Sequence, residues 1–387
     1  MPATLFLQSD IQDPYGLYAG MLAENPVYWD EINHLWAIYS YKNCSAILTD
    51  KTAHIPPVNQ NNKDRLSEHA LLITGQLARL SNDAQHTIAR ETALLLSGNL
   101  KSISIPGIAK KLLQQQYAPG ETDWVNAICK KLPVMVVLKS FDFNDAEADF
   151  ISGKMEQLVK LMLPVKTNEQ VKDINEMAKD IYTITERQLL ATGILRSIIK
   201  TMQEKYTIAP DMVIAACTCN LIGLFIQGYD AGRGILSNAM IQVLNNHKTE
   251  QQGLADNVFL EQSVIETLRF DPPVQNTRRV AAENIVLDNT EIKKGDAILV
   301  VLAAANRDPQ QFNHPDVYDT GRSNNNEHLS FGSGYHRCVA SHFSVYLAVQ
   351  TLSYFFGRYK IRLLEKKIEY EPAINLRLPQ RIMIALG

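Results

Sequence analysis

Residues 328–340 read HLSFGSGYHRCVA, and an apolar run follows the cysteine to about Phe356. Gly332 and Gly334 let the backbone turn tightly and approach a flat ligand closely. A cysteine at the start of a helix also has its thiolate stabilised by unpaired amide N–H groups and by the helix dipole. On these residues alone Cys338 is a buried structural cysteine, a reactive nucleophile or a metal-binding thiolate, and by base rate the structural role comes first.

Working outward, the periodicity is helical from about Tyr41 to Phe270, with polar joints at 55–65, 117–122 and 144–147. Val27–Tyr41 holds two β-prone runs around Asn33-His34 and predicts a hairpin. After Asp271-Pro272-Pro273 come β-like runs at 284–287 and 297–302, a structure-poor stretch at 306–326, the helix from near Cys338, and β-prone 359–364 and 381–385. The pattern predicts a mainly α fold with small β-sheets. No repeat or linker divides it, so residues 1–387 are expected to form a single domain.

The composition bounds the function. In 387 residues, 38 basic and 41 acidic side chains leave a formal net charge of -3, without the basic footprint that nucleic-acid binding requires. The N-terminus has no signal-peptide pattern. Met212–Ile226 is shorter than the roughly 20 residues that cross a bilayer and reads as a buried helix. Five cysteines, at 44, 129, 217, 219 and 338, are too few and too scattered for a disulfide framework. Cys217 and Cys219 lack a second ligand pair at zinc spacing and read as small buried hydrophobes. A cytoplasmic protein without a membrane anchor is expected.

The run Phe331-Gly332-Ser333-Gly334-Tyr335-His336-Arg337-Cys338 resembles the haem-binding loop of cytochromes P450, in which the cysteine thiolate is the proximal iron ligand. The family's usual glycine two positions after the cysteine is Ala340 here. Glu266-Thr267-Leu268-Arg269 is similar to the family's ExxR pair, and its (i, i+3) spacing puts both side chains on one helix face. Tyr318-Asp319-Thr320-Gly321-Arg322 resembles the loop that gives that pair a second arginine, and Asn306-Arg307-Asp308-Pro309 matches bacterial members. The joint order of these motifs carries the resemblance, which implies a P450 fold and haem b with Cys338 as axial ligand. It points to His86, Arg90, Arg279 and His336 as propionate partners and to Phe331 in the haem loop. Arg278 competes with its neighbour Arg279 for that role.

Leu221–Ser237 falls where the resemblance places the helix that crosses the distal haem face. The family's Ala-Gly-x-Asp/Glu-Thr becomes Gln227-Gly228-Tyr229-Asp230-Ala231, so the acid is present and the alcohol is gone. Cleavage of O–O needs a proton as well as the electron push of a thiolate. A substrate polar group, a bound water or Gln227, four residues before Ala231 and on its helix face, is expected to replace the hydroxyl. Tyr229 should point elsewhere. Phe225, Gln227, Val274, Asn276 and Leu376 are expected to line a mostly apolar substrate pocket, although each apolar residue fits a core equally well.

The implied activity is monooxygenation of a small organic molecule, in specialised metabolism, by a monomer. A ferredoxin or flavodoxin and its reductase would supply the electrons, docking near Arg337 and Lys110-Lys111. The alternatives are a peroxide-using P450, a non-oxygenating isomerase or dehydratase, and a haem-binding sensor.

Overall fold

The computed structural model describes residues 4–57, 62–100, 103–115, 120–246 and 254–387. Parts of the joints expected at 55–65 and 117–122 lie outside the described residues. Val27–Asp30 and Leu35–Ile38 form the antiparallel hairpin that the sequence predicts. One side chain organises its turn: Asp30 Oδ1 accepts the Ile32 and Asn33 amides, each at 2.9 Å, and Oδ2 accepts Asn33 Nδ2 at 2.8 Å. His34 leaves the turn at φ 48°. Satisfying the turn's own amides is what Asp does best at such positions.

Contacts within the chain divide it into two compact units, 1–54 with 109–129 and 231–387, and 55–108 with 130–230. The first contains every sheet found among the described residues. Leu35–Ile38 pairs in parallel with Ala297–Val300, which pairs antiparallel with Thr277–Ala281, and Ala53–His54 closes a five-stranded sheet. Glu121–Asp123, Met383–Leu386 and Ile361–Leu363 make a second sheet, and Ile285–Leu287 with Thr290–Ile292 a third. The sequence pattern misses Thr277–Ala281 because TRRVA hides its alternation behind two arginines. In the strand the period is plain: Arg279 and Ala281 are buried and Arg278 is exposed.

One core of this unit packs Ile47, Leu48, Ile298 and Val300 with Leu329 of the glycine-rich loop. Fully burying each such side chain contributes about 1.5–3 kcal/mol. Trp124 is fully buried, donates Nε1–H to Leu236 O at 3.2 Å and meets Phe355 edge-on at 4.7 Å. The helix after the cysteine spans Ser341–Phe356, three residues later than the sequence suggests.

The second unit is helical throughout its described residues. Two of its helix starts are capped by side chains at Asn144, which accepts the Glu147 amide at 2.9 Å, and at Thr167, whose capping box uses Gln170. Pro210–Gln227 is its central helix, buried at Val213 and continuously from Ala216 to Ile226. A helix apolar all round belongs in a core. Met212, expected inside, is 58% exposed in the first turn. The helical run continues to Asn246 and is long and apolar enough to cross a membrane, yet 72% of its apolar window is buried within the protein.

Candidate active site

The loop before Cys338 is held by its own backbone. Gly332 N donates to Leu329 O at 2.8 Å and Cys338 N to Phe331 O at 2.9 Å. Gly332 and Gly334 have φ of 67° and 62°, a region that side chains disfavour. Their packing differs. A Cβ on Gly332 would meet nothing nearer than His336 O at 3.8 Å, whereas one on Gly334 would lie 2.8 Å from Thr49 Cα and 2.9 Å from Leu48 O. The close approach at Gly334 is therefore to the helix Tyr41–Thr49, where the sequence suggests a flat ligand. Ala340 caps the next helix at φ -102° and ψ 16°, a conformation that alanine adopts without strain. The missing family glycine thus costs the backbone nothing.

Burial separates the cysteines. Cys44, Cys129, Cys217 and Cys219 are buried, and burial pushes each of their thiols up. Cys338 alone among the five is partly exposed. His328 opens the same loop with its ring 5.5 Å from that of Phe331, and its Nδ1 accepts the Ser330 amide at 3.1 Å. Burial, aided by Arg337 and Arg269, pulls His328 down to about 4, so its imidazole is neutral at pH 7. His336 and Tyr335 meet edge-on at 5.4 Å, and Arg337 is exposed.

Glu266 and Arg269 lie on the helix Asn257–Phe270. Glu266 accepts from Arg269 Nη2 at 2.7 Å and Nε at 2.9 Å, from the Asp319 amide at 3.0 Å and from Arg322 Nε at 3.4 Å. Arg269 Nη1 donates to Asn306 O and Pro315 O. The expected trio is assembled. Sequence reasoning missed the residue that joins it to the cysteine loop: fully buried Asn306 accepts the Leu329 amide on Oδ1 at 2.6 Å and donates Nδ2–H to Ser330 Oγ at 2.7 Å. Its signal was present in the motif at 306–309.

Arg279 is 4% exposed, and its Nη1 donates to Thr277 Oγ1 at 3.1 Å and Arg278 O at 2.8 Å. No carboxylate pairs with it among the described residues, and burial pulls its guanidinium down to about 10. A buried cation in neutral company is a site for an anion. Arg278, on the opposite face of the strand, is exposed.

A sequence model of the family described as Cytochrome P450 matches residues 236–381. The chain is 25% identical over 356 residues to a pulcherriminic acid synthase of Bacillus subtilis, covering 86% of this chain and 84% of that one. It is 25% identical over 348 residues to a biotin biosynthesis cytochrome P450 of the same organism, at 86% and 85% coverage. The solved structure of P450BioI, in complex with acyl carrier protein ligated to hexadec-9Z-enoic acid, superposes with a TM-score of 0.81 at 21% identity, covering 98% of this chain and all of that one. In sequence and in fold the chain is similar to bacterial cytochromes P450. The fold is the P450 fold, and the protein is a haem-thiolate oxidoreductase of the monooxygenase type. Its residues fit that cofactor: a partly exposed cysteine in a pinned loop, and a buried arginine without a carboxylate.

In the second unit, His86 and Arg90 lie one turn apart on the helix Asp83–Ser97. His86 is buried with Nδ1 2.8 Å from Ala78 O, and Arg90 is partly buried. Gly223 leaves room for Leu77, whose Cδ2 lies 2.7 Å from where a Cβ would stand. Gln227 turns its amide back along its own helix, donating Nε2–H to Gly223 O at 3.1 Å. Gly228–Gly232 then form a π-turn that carries Asp230 and Ala231, both partly exposed. Tyr229 is buried and donates to Glu156 Oε1 at 3.3 Å. Phe225 is fully buried edge-on to Phe143 at 6.0 Å, a core contact and the alternative that the sequence left open.

Val274 and Leu376 come together as a single antiparallel bridge, and both are partly buried. Asn276 is buried and spends Nδ2 on Ile374 O at 3.0 Å, bracing the same pair of segments. Gly234 lets them approach: a Cβ there would lie 2.3 Å from Pro273 Cβ and 2.7 Å from Leu378 Cδ2.

Proposed function

We propose that this chain is a cytochrome P450 in which the Cys338 thiolate would hold haem b, and that it monooxygenates a small, largely apolar organic substrate. The bound haem supplies the reductive activation of dioxygen. Arg279 and His336, with His86 and Arg90, neutralise the propionates, and Phe331 and Gly332 present the loop to the macrocycle. A ferredoxin or flavodoxin and its reductase provide the electrons, and exposed Arg337, Lys110 and Lys111 attract that acidic partner. The chain works as one P450 domain and as a monomer. The relatives' named products support a role in biosynthesis, and Val274 and Leu376 give the substrate an apolar wall.

The observation that carries the reading is the π-turn at Gly228–Gly232, with an acid at Asp230, no hydroxyl at Ala231, and the Gln227 amide N–H turned to Gly223 O. Asp230 supplies protons, while the positioning role of the absent alcohol falls to a water or to a polar group of the substrate. Gln227, with one Nε2–H given to Gly223 O, keeps Oε1 and its second N–H for the same role. Ala231→Thr tests this: coupling of electron consumption to product should fall, because the new hydroxyl displaces the group that now does the work. A large gain in coupling overturns the proposal. The cofactor assignment has its own test, since Cys338→Ser should abolish the red-shifted Soret band of the reduced, carbon-monoxide-bound protein.

A further inference from the structure

Away from the cysteine loop, the first unit holds a cavity of about 550 Å³ whose lining includes Tyr15, Phe270, Asp271, Lys366, Lys367 and Arg377. We propose that it binds a small dianion of the phosphate-ester class. Four of its lining residues are cationic, Arg307 and the three basic residues just named, against two acids, Asp13 and Asp271. The surplus matches two negative charges.

The decisive residue is Arg377. It is 4% exposed, stacked 3.6 Å above the Tyr370 ring, with Nη2 donating to Gln12 O at 2.8 Å. Its Nε and Nη1 have no hydrogen-bond acceptor among the described residues. The one carboxylate near it, Asp271, stands 3.6 Å from Nε and already receives the Tyr15 hydroxyl on that same oxygen at 2.6 Å. A buried guanidinium with unused N–H groups is built for a further oxyanion. Arg307 adds charge beside it, held between the Tyr15 and Phe270 rings at 3.6 and 3.7 Å. Its acid partner, Asp316, is 73% exposed and screens it little.

Lys366 and Lys367 are exposed at the edge of this cavity and have no ion-pair partner among the described residues. Flexible ammonium groups over a forked guanidinium suit phosphate oxygens. Ile241 and Ile368 in the lining leave an apolar wall for the organic part of an ester, and the volume falls in the range of small-ligand sites.

Inorganic phosphate titrated into the holoprotein by calorimetry, at constant ionic strength, tests the proposal. Saturable binding is expected, about tenfold weaker in the Lys366→Gln/Lys367→Gln double variant, whose exposed positions leave folding intact. Arg377→Gln should weaken it at least as much. No saturable heat with wild type, or equal affinity in the double variant, overturns the proposal. The Soret spectrum should stay unchanged in every titration; a phosphate-induced Soret shift would place the anion at the haem and sink the assignment to this cavity.

Discussion

Glu266 and Arg269 are one helical turn apart, wholly without solvent exposure, and joined at 2.7 Å. Arg322 shares the same carboxylate at 3.4 Å. Removing one member strands buried charge on the others, which costs about 3–5 kcal/mol. Glu266→Ala should therefore unfold at markedly lower urea concentration than wild type. The conservative Glu266→Gln should lose less, because its amide oxygen still accepts one guanidinium hydrogen bond.

Asn306 links that pair to the cysteine loop through Leu329 and Ser330. Asn306→Leu leaves the Leu329 amide without its acceptor and Ser330 Oγ without its donor, at about 1–3 kcal/mol for each buried group. The expected result is a lower fraction of the reduced carbon-monoxide complex with a thiolate signature, at nearly unchanged helicity. A full thiolate signal in this variant would show that the loop holds itself.

The two loop glycines should respond unequally. Gly332→Ala pays only for its left-handed backbone, about 1–2 kcal/mol. Gly334→Ala pays that and a collision with Thr49 and Leu48. Haem content per protein, measured on purified samples, should fall modestly for the first and severely for the second. The reverse order would contradict the packing described above.

Acid should act through His328. Its folded value, about 4, lies below the ordinary 6.5, so between these values the unfolded chain binds the extra proton and stability falls as pH falls. Above pH 6.5 the imidazole is neutral in both states and contributes no slope. His328→Gln should flatten the urea midpoint between pH 6.5 and 4 relative to wild type. An unchanged slope would assign the acid sensitivity elsewhere.

Much of the site was legible because its parts are local. The hairpin at 27–38, the glycine-rich run before Cys338, the helix that follows and the Glu266–Arg269 spacing are all set within a few residues, where turn chemistry and helical period operate. Ala231 could be read in the same way, since a missing hydroxyl shows in the letters.

Burial and distant contact decided the rest. Arg278 and Arg279 are the same letter twice, and only the pairing of Thr277–Ala281 with Ala297–Val300 turns one inward. Asn306 is an ordinary loop residue until Leu329 and Ser330 are folded against it. Gly334 looks like a ligand cradle until Thr49 is seen beneath it, and the turn of the Gln227 amide onto Gly223 depends on the backbone around it. Local pattern encodes periodicity, which a sequence carries by itself; which face is buried, and against what, is a property of segments far apart in the chain, and only the tertiary structure supplies it.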